Sequence, residues 1–557
     1  MKRQNQRILL LLIIVLLGAA LRFWSLDSKP LWHDELYTAL YSLGKTPSDI
    51  PMAMVYPVTQ LRSLITLDPS YTLSDVVEGL NSQSSHPPLF FMLMHGWLNW
   101  MGSNTFQLRA FSAWIGVSGI VAIYGLGRLA FNQATGLLAA VLFAVSPFSV
   151  YLAQEARHYT LPLLLLTLAL AGLIAIIQDL THPRSLRLWV CLGWCVVNGV
   201  GFYIHYLFLL STLAQLLCLA GAVLRWRRSI SNRNLFVIGF FSAAIGLSYL
   251  PWLPTLLSQT QGAEDAWLNF DPSYWSAYIE PLIRVLAAWI MMYVLLPVER
   301  MPSWIVIPSA IAMLGFIGWL GVKLAQGWSS LGAKPTFRVA ASVLISFTGW
   351  ILFETLMITY GLGIDFTQSP RYLFQLYPAV CVLTAAFLLH ASQIGSLRSP
   401  NHTPNHSSLI VITVGLVSCV LINLNITLLK PYLPDRVAAQ LLAGSGSHPP
   451  VILMAAPRNF DRTLGLAYAL EVEKQAPKPT ETYWGFFQTL PEANDFSSVL
   501  GGLEQLPRTT LNLWLISPGE YISFPETVLL GADRPACRIE EPKYNTEGNR
   551  YQQYRCL

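Results

Sequence analysis

The sequence predicts an all-α polytopic membrane protein that ends in a small α/β domain. Hydrophobic residues make up 54% of the 557-residue chain. Charged residues make up only 12%, against roughly 25% in soluble domains. Apolar runs of bilayer length, about 20 residues, recur along the first 429 positions and then stop. So few charges cannot coat a soluble protein of this size. The same composition excludes disorder, collagen and a disulfide-scaffold secreted fold. A net charge of +5 gives no reason to expect a nucleic-acid partner.

Eleven spans are expected, at 8–24, 107–130, 134–152, 160–178, 188–204, 206–224, 234–255, 303–323, 338–360, 372–391 and 408–429. Lys2, Arg3 and Arg7 precede the first, and Gly18-Ala19-Ala20 resembles a cleavage site. An uncleaved anchor is the preferred reading, because Arg22-Phe23-Trp24 suits an interface belt. Lys2, Arg3 and Arg7 put the N-terminus in the cytoplasm. Alternation then places Arg128, the His182–Arg187 turn and the Arg225, Arg227, Arg228, Arg233 cluster on the same side. A further apolar run, Leu282–Pro297, breaks this parity: if it crosses, Lys323, Lys334 and Arg338 fall outside. It is therefore read as re-entrant or interfacial. The expected result is a multi-pass protein of the plasma (inner) membrane, with its C-terminus external or periplasmic.

Two regions lie outside the spans. The loop 25–107 contains Pro87–Met101, too short to span and fit for an interfacial helix. The tail 430–557 contains two strand-like apolar runs, Val451–Ala455 and Leu511–Ile516, with a helical pattern at Arg462–Lys474 between them. The chain is thus divided into 1–429 and 430–557, and 399–407 is a polar turn. Cys191, Cys195, Cys218, Cys381 and Cys419 sit in apolar runs and read as packing residues. Cys537 and Cys556 bracket a hairpin pattern, Arg538–Tyr554, and are expected to form a disulfide in an external tail.

Acids and cations near spans are scarce, so each is a candidate functional residue. Five groups stand out: Trp32-His33-Asp34-Glu35, His86-Pro87-Pro88-Leu89, Ser146-Pro147 with Gln154-Glu155-Ala156-Arg157-His158-Tyr159, the turn Tyr203–Tyr206 with His205, and Arg371-Tyr372. By the orientation above, all five meet the external leaflet. Singly, each has a plainer explanation: a solvated turn, an ion pair, a satisfied histidine, a headgroup contact or a helix cap. Together they describe a site open to a lipid and to water.

Four of these groups, all except the Tyr203–Tyr206 turn, resemble the GT-C membrane glycosyltransferases, in the protein-mannosyltransferase and aminoarabinose-transferase branch, over about residues 1–392. The resemblance implies transfer of a sugar from a polyprenyl-phosphate carrier to a lipid, glycan or protein acceptor, usually with inversion. By resemblance Asp34 is the general base, Glu35 and Glu155 orient the acceptor or a metal, and Arg157 and Arg371 hold the carrier phosphate. His86 and His205 are second choices for phosphate or metal contact, and His33, Tyr206 and Tyr372 are further contact candidates. A carboxylate suits the acceptor proton, and guanidinium suits phosphate by bidentate geometry. No cofactor is required by this chemistry, and a divalent metal stays open because the acids are too scattered to specify one. The rival class is a transporter or flippase of a lipid-linked or amphipathic substrate, favoured by Glu354 inside the ninth expected span.

Overall fold

The computed structural model describes residues 2–181, 185–259, 267–331, 335–391, 406–427, 430, 432–446, 448–492, 494–508, 510–518, 523–540, 544–546 and 549–556. Residues 182–184 of the expected turn, Lys334 and residues 399–405 lie outside the described residues. The chain forms two compact units. The first comprises Met1–Leu26, Ser84–Phe90 and Arg109–Leu428; the second comprises Asp27–Gln83, Phe91–Leu108 and Leu429–Leu557. This division differs from the cut at 429/430 expected from composition, because most of the first loop groups with the tail.

Among the described residues, nine helices are long and apolar enough to cross a membrane. They are Gln4–Phe23, Thr105–Ala130, Thr160–Thr181, Phe208–Ser229, Asn232–Gln259, Ser303–Ser329, Phe337–Leu362, Pro370–Ala391 and His406–Asn423. Two of the eleven expected spans are not single long helices. The run 134–152 is a pair of helices, Gln133–Ala144 and Pro147–Ala153, bent by 59°. Pro147 has no N–H to continue a helix and steers Ser146 out of the helical region, to φ −74° and ψ 124°. Ser146 Oγ then caps the second helix, accepting from Ser149 N at 3.3 Å. The run 188–204 forms Leu188–Phe202, 15 residues, or about 22 Å against a hydrocarbon core of about 30 Å.

Leu282–Pro297 does not form a helix long enough to cross by itself. Its helix, Glu280–Met291, has 12 residues, only about 18 Å of rise. The chain then turns into the interior of the unit, where Met292–Leu295 are buried. Ser146 Oγ donates to Met292 O at 2.8 Å, Leu295 N donates to Ser418 Oγ at 3.0 Å, and Tyr293 Oη lies 2.6 Å from Thr384 Oγ1. Arg22 is also unlike the expected interface residue. It is fully buried, and its guanidinium donates to Gly18 O, Ala144 O, Phe143 O and Ser149 Oγ. A buried cation needs such satisfaction, so Arg22 ties the first helix to the bent pair.

The second unit is built on a sheet. Its strands are β1 Met54–Pro57, β2 Pro450–Ala455, β3 Tyr483–Phe487, β4 Leu511–Pro518, β5 Thr527–Val528, β6 Cys537–Ile539, β7 Tyr544–Thr546 and β8 Asn549–Cys556. The order is β1-β3-β2-β4-β8-β6-β5, with β7 paired to β8. β2 pairs in parallel with both β3 and β4, and helix Asn459–Gln475 makes the crossover from β2 to β3. β2 and β4 are buried along their whole length, as strands covered on both faces should be. The two expected strands and the helix between them are therefore present. The expected disulfide is also present, joining Cys537 to Cys556 where β6 runs antiparallel to β8.

β1 belongs to the loop after the first helix, yet it pairs antiparallel with β3, Val55 opposite Gly485. Arg62 Nε, also from that loop, reaches both carboxylate oxygens of Glu473 at 3.0 and 3.1 Å. Loop and tail thus share one sheet and one core.

Candidate functional site

In the first unit, four of the charged groups come together, and hydrogen bonds to backbone carbonyls hold their segments. Leu89 N, just after His86-Pro87-Pro88, donates to Tyr203 O at 3.0 Å. Ser112 Oγ donates to Arg157 O at 2.9 Å, fixing the turn between the bent pair and helix Thr160–Thr181. Gln375 Nε2, after Arg371-Tyr372, donates to Leu207 O at 2.7 Å. Three loops and a 3-10 turn are therefore bound to one another at helix ends.

Their side chains meet around His158 and Tyr159. Arg157 Nη2 lies 3.3 Å from His86 Nε2. The His158 ring is 5.0 Å from His86 and 4.7 Å from His205. The guanidinium carbons of Arg157 and Arg371 lie 5.8 and 5.7 Å from the centre of the fully buried Tyr159 ring. Tyr372 stacks on Trp267 at 6.0 Å and approaches Tyr159 at 6.1 Å. Two guanidinium groups against one buried ring bring several N–H donors into a small space. Such a spot suits an anion with several oxygens.

His205 has a fixed tautomer. Leu207 N–H donates to its Nδ1 at 3.1 Å, so Nδ1 carries the lone pair and Nε2 carries the proton. Nε2 is buried and has no hydrogen-bond partner among the described residues. A metal at Nε2 would require that proton to leave while Nδ1 still accepted from Leu207. His205 is thus arranged as a donor to an anion. Burial first, then the charges of His86, Arg157 and Arg371, hold its pKa well below the ordinary value. Burial, followed by His205, Arg157, His86 and Arg371, does the same to His158.

Two expected contacts stand differently. Tyr206 turns away from its neighbour His205: its hydroxyl donates to Gln259 Oε1 at 2.6 Å and accepts from Trp252 Nε1 at 2.8 Å. Burial pushes that phenol up to about 12. Glu155 is buried beside Arg157, whose N–H donates back to Glu155 O at 2.8 Å.

In the second unit, Trp32-His33-Asp34-Glu35 opens helix His33–Ser42. His33 Nε2 lies 3.3 Å from Asp34 Oδ1. The His33 ring is boxed edge-on by Trp32, Tyr432 and Phe460, with centroids at 4.9, 5.4 and 4.8 Å. Glu35 is fully buried. Its Oε2 accepts from Trp32 N and faces Lys430 Nζ, both at 3.4 Å. Adjacent carboxylates thus differ in surroundings, as residues on different faces of a helix must. Among the described residues, no three His, Cys, Asp or Glu side chains are grouped to hold a metal ion.

The sequence reading missed Trp267, Lys430, Tyr432 and Phe460, and it quoted His158-Tyr159 after Arg157 without giving either a role. His158-Tyr159 directly follows Arg157 and was legible as part of that run. The tail residues had no motif to mark them.

Residues 85–252 match the dolichyl-phosphate-mannose-protein mannosyltransferase family, a stretch that includes His86, Glu155, Arg157 and His205. No curated protein sequence matches the chain. Among solved structures, it is similar to ArnT from Cupriavidus metallidurans bound to undecaprenyl phosphate, with 14% identity, 97% of each chain covered and a TM-score of 0.47. It is also similar to the Archaeoglobus fulgidus oligosaccharyltransferase in the apo form, with 13% identity, 83% of this chain and 64% of that chain covered and a TM-score of 0.46. The S. cerevisiae Pmt1-Pmt2 complex bound to the sugar donor shows 18% identity, 49% and 36% coverage and a TM-score of 0.33. The family match and the motifs agree in class: the chain resembles the GT-C membrane glycosyltransferases, and its residues 85–252 carry the protein-mannosyltransferase signature.

Proposed function

We propose that this protein transfers a sugar from a polyprenyl-phosphate carrier to a hydroxyl of a lipid, glycan or protein at the external face of the plasma (inner) membrane. The observation that carries this reading is the pair Arg157 and Arg371 on Tyr159, with the His205 ring 5.6 Å from the same Tyr159 ring. These groups bind the carrier phosphate. The bond between the anomeric carbon and the phosphate oxygen breaks, and the electron pair stays with the phosphate. Guanidinium and N–H donors stabilise that developing charge. The acceptor oxygen forms the new bond to the anomeric carbon, and its proton passes to the Asp34 carboxylate. Glu155 orients the acceptor. A divalent metal enters no step here.

The test compares lipid-linked sugars in membranes with and without the protein. A sugar carrier that accumulates in its absence names the donor, and purified protein should then discharge that carrier onto acceptor. Unchanged carrier pools together with no discharge by the purified protein would overturn the reading. One feature favours a second reading, transport of an amphipathic substrate: both carboxylate oxygens of Glu354, inside Phe337–Leu362, are buried with no hydrogen-bond partner among the described residues. Translocation of the carrier by reconstituted protein, without transfer, would decide for it.

A further inference from the structure

The acid pair in the loop after the first helix is held by the tail. Lys430 Nζ sits 3.4 Å from Glu35 Oε2 and 5.5 Å from the centre of the Trp32 ring. Trp32 is itself buried and receives the Glu35 carboxylate on its backbone N–H. Tyr432, two positions beyond Lys430, and Phe460, at the start of helix Asn459–Gln475, pack against each other at 5.6 Å and against His33. His33 in turn meets one oxygen of Asp34. A buried carboxylate such as Glu35, with no exposed surface, is a poor ligand for a diffusing acceptor. It is well suited to closing the first turn of its own helix and neutralising a lysine.

We propose that Lys430, Tyr432 and Phe460 are positioning residues that orient the Asp34 carboxylate through Glu35 and His33, and that Glu35 touches no substrate. This rests on the reading of Asp34 as the base in sugar transfer. It gives the tail a defined task, which is to set the angle of the general base. It also replaces the role that family resemblance assigns to Glu35.

The experiment is a charge-pair cycle in the full-length protein: Lys430→Met, Lys430→Arg, Glu35→Gln and the double variant Glu35→Gln/Lys430→Met. Lys430→Met removes the cation that faces the buried Glu35 carboxylate, and misplacing the base should lower kcat by about 10–100-fold while donor KM holds. Lys430→Arg should restore most of the rate. The double variant removes both charges and should recover at least most of what either single variant loses. A folded double variant as inactive as Glu35→Gln would mean that Glu35 meets substrate, and would overturn the proposal. So would Lys430→Met turning over at the wild-type rate.

A second readout does not depend on transfer. His33 should react slowly with diethyl pyrocarbonate in the wild type and faster in Phe460→Ala, with helix content unchanged. Equal His33 reactivity in both would remove the brace. If wild-type protein discharges no carrier at all, the function reading fails instead, and the His33 protection alone decides the brace.

Discussion

Asp34 and Glu35 are adjacent acids with different surroundings, and the difference sets their expected behaviour. Asp34→Asn keeps the size of the side chain and one acceptor oxygen but takes no proton at neutral pH. Turnover in isolated membranes should fall on the order of 10²-fold or more, with expression and carrier affinity retained. A well-folded Asp34→Asn protein that transfers at the wild-type rate would show that the base lies elsewhere, with Glu155 the next residue to test. The histidines give a separate, pH-dependent expectation. Burial and neighbouring cations lower the pKa of His158 and His205 well below 6.5. In the unfolded chain they take up protons near that value, whereas the folded protein resists. Their contribution is therefore fully present above about pH 6.5 and is lost as pH falls toward the lowered folded-state values. The thermal midpoint of purified protein should decline on acidification below about pH 6.5. The decline should be shallower in His158→Phe; an identical slope in the variant would contradict this account.

At the scale of elements, two close constraints hold the expected phosphate contacts and the tail. A Cβ added at Gly201 would lie 2.4 Å from the Phe208 ring, and His205 N donates to Gly201 O at 3.1 Å. Gly201→Ala should force that turn open and cost about 1–3 kcal/mol through overpacking, with sugar transfer falling because His205 moves. A differential scan and a transfer assay on the same preparation check both effects. The Cys537–Cys556 link closes the β6–β8 hairpin with a sequence separation of 19. Reduction should lower the stability of the tail by roughly 3 kcal/mol on the chain-entropy account, read as earlier proteolysis of residues 430–557. The tail's central strands were legible in sequence because strands buried on both faces are continuous apolar runs. β1 was not, since Met54–Pro57 is short and finds its partner β3 only in the tail. His86, Arg157, His205 and Arg371 were legible because polar residues at the ends of apolar spans are few. Lys430 and Phe460 were hidden because their meaning lies in a pairing with Glu35 and His33 that no local pattern encodes. The break at Pro147 was invisible to hydropathy, which counts apolar residues without regard to a missing N–H.

At the scale of the whole molecule, the orientation of the spans turns on the segment around Glu280–Met291. Among the described residues, nine long helices, one bent pair and the short helix Leu188–Phe202 give an odd number of passes if the pair and the short helix each cross. With the N-terminus in the cytoplasm, the segment before Glu280–Met291 then faces outward, and the one after Ser303–Ser329 faces inward. A helix of 12 residues, about 18 Å long, cannot add a pass by itself, and its buried continuation through Met292–Leu295 returns into the unit. The positive charges agree: Lys323 and Arg338 then share a side with Arg225, Arg227 and Arg228. Single cysteines placed in a background lacking the five unpaired ones test this directly. Ser273→Cys, in an exposed stretch before the segment, should react with an impermeant reagent added outside intact cells. Gln326→Cys and Ser229→Cys, also exposed, should react only after the membrane is opened. If Gln326→Cys reacts from outside while Ser229→Cys does not, the segment crosses after all. Arg371, two helix ends further on, would then face the cytoplasm, opposite the side proposed for sugar transfer.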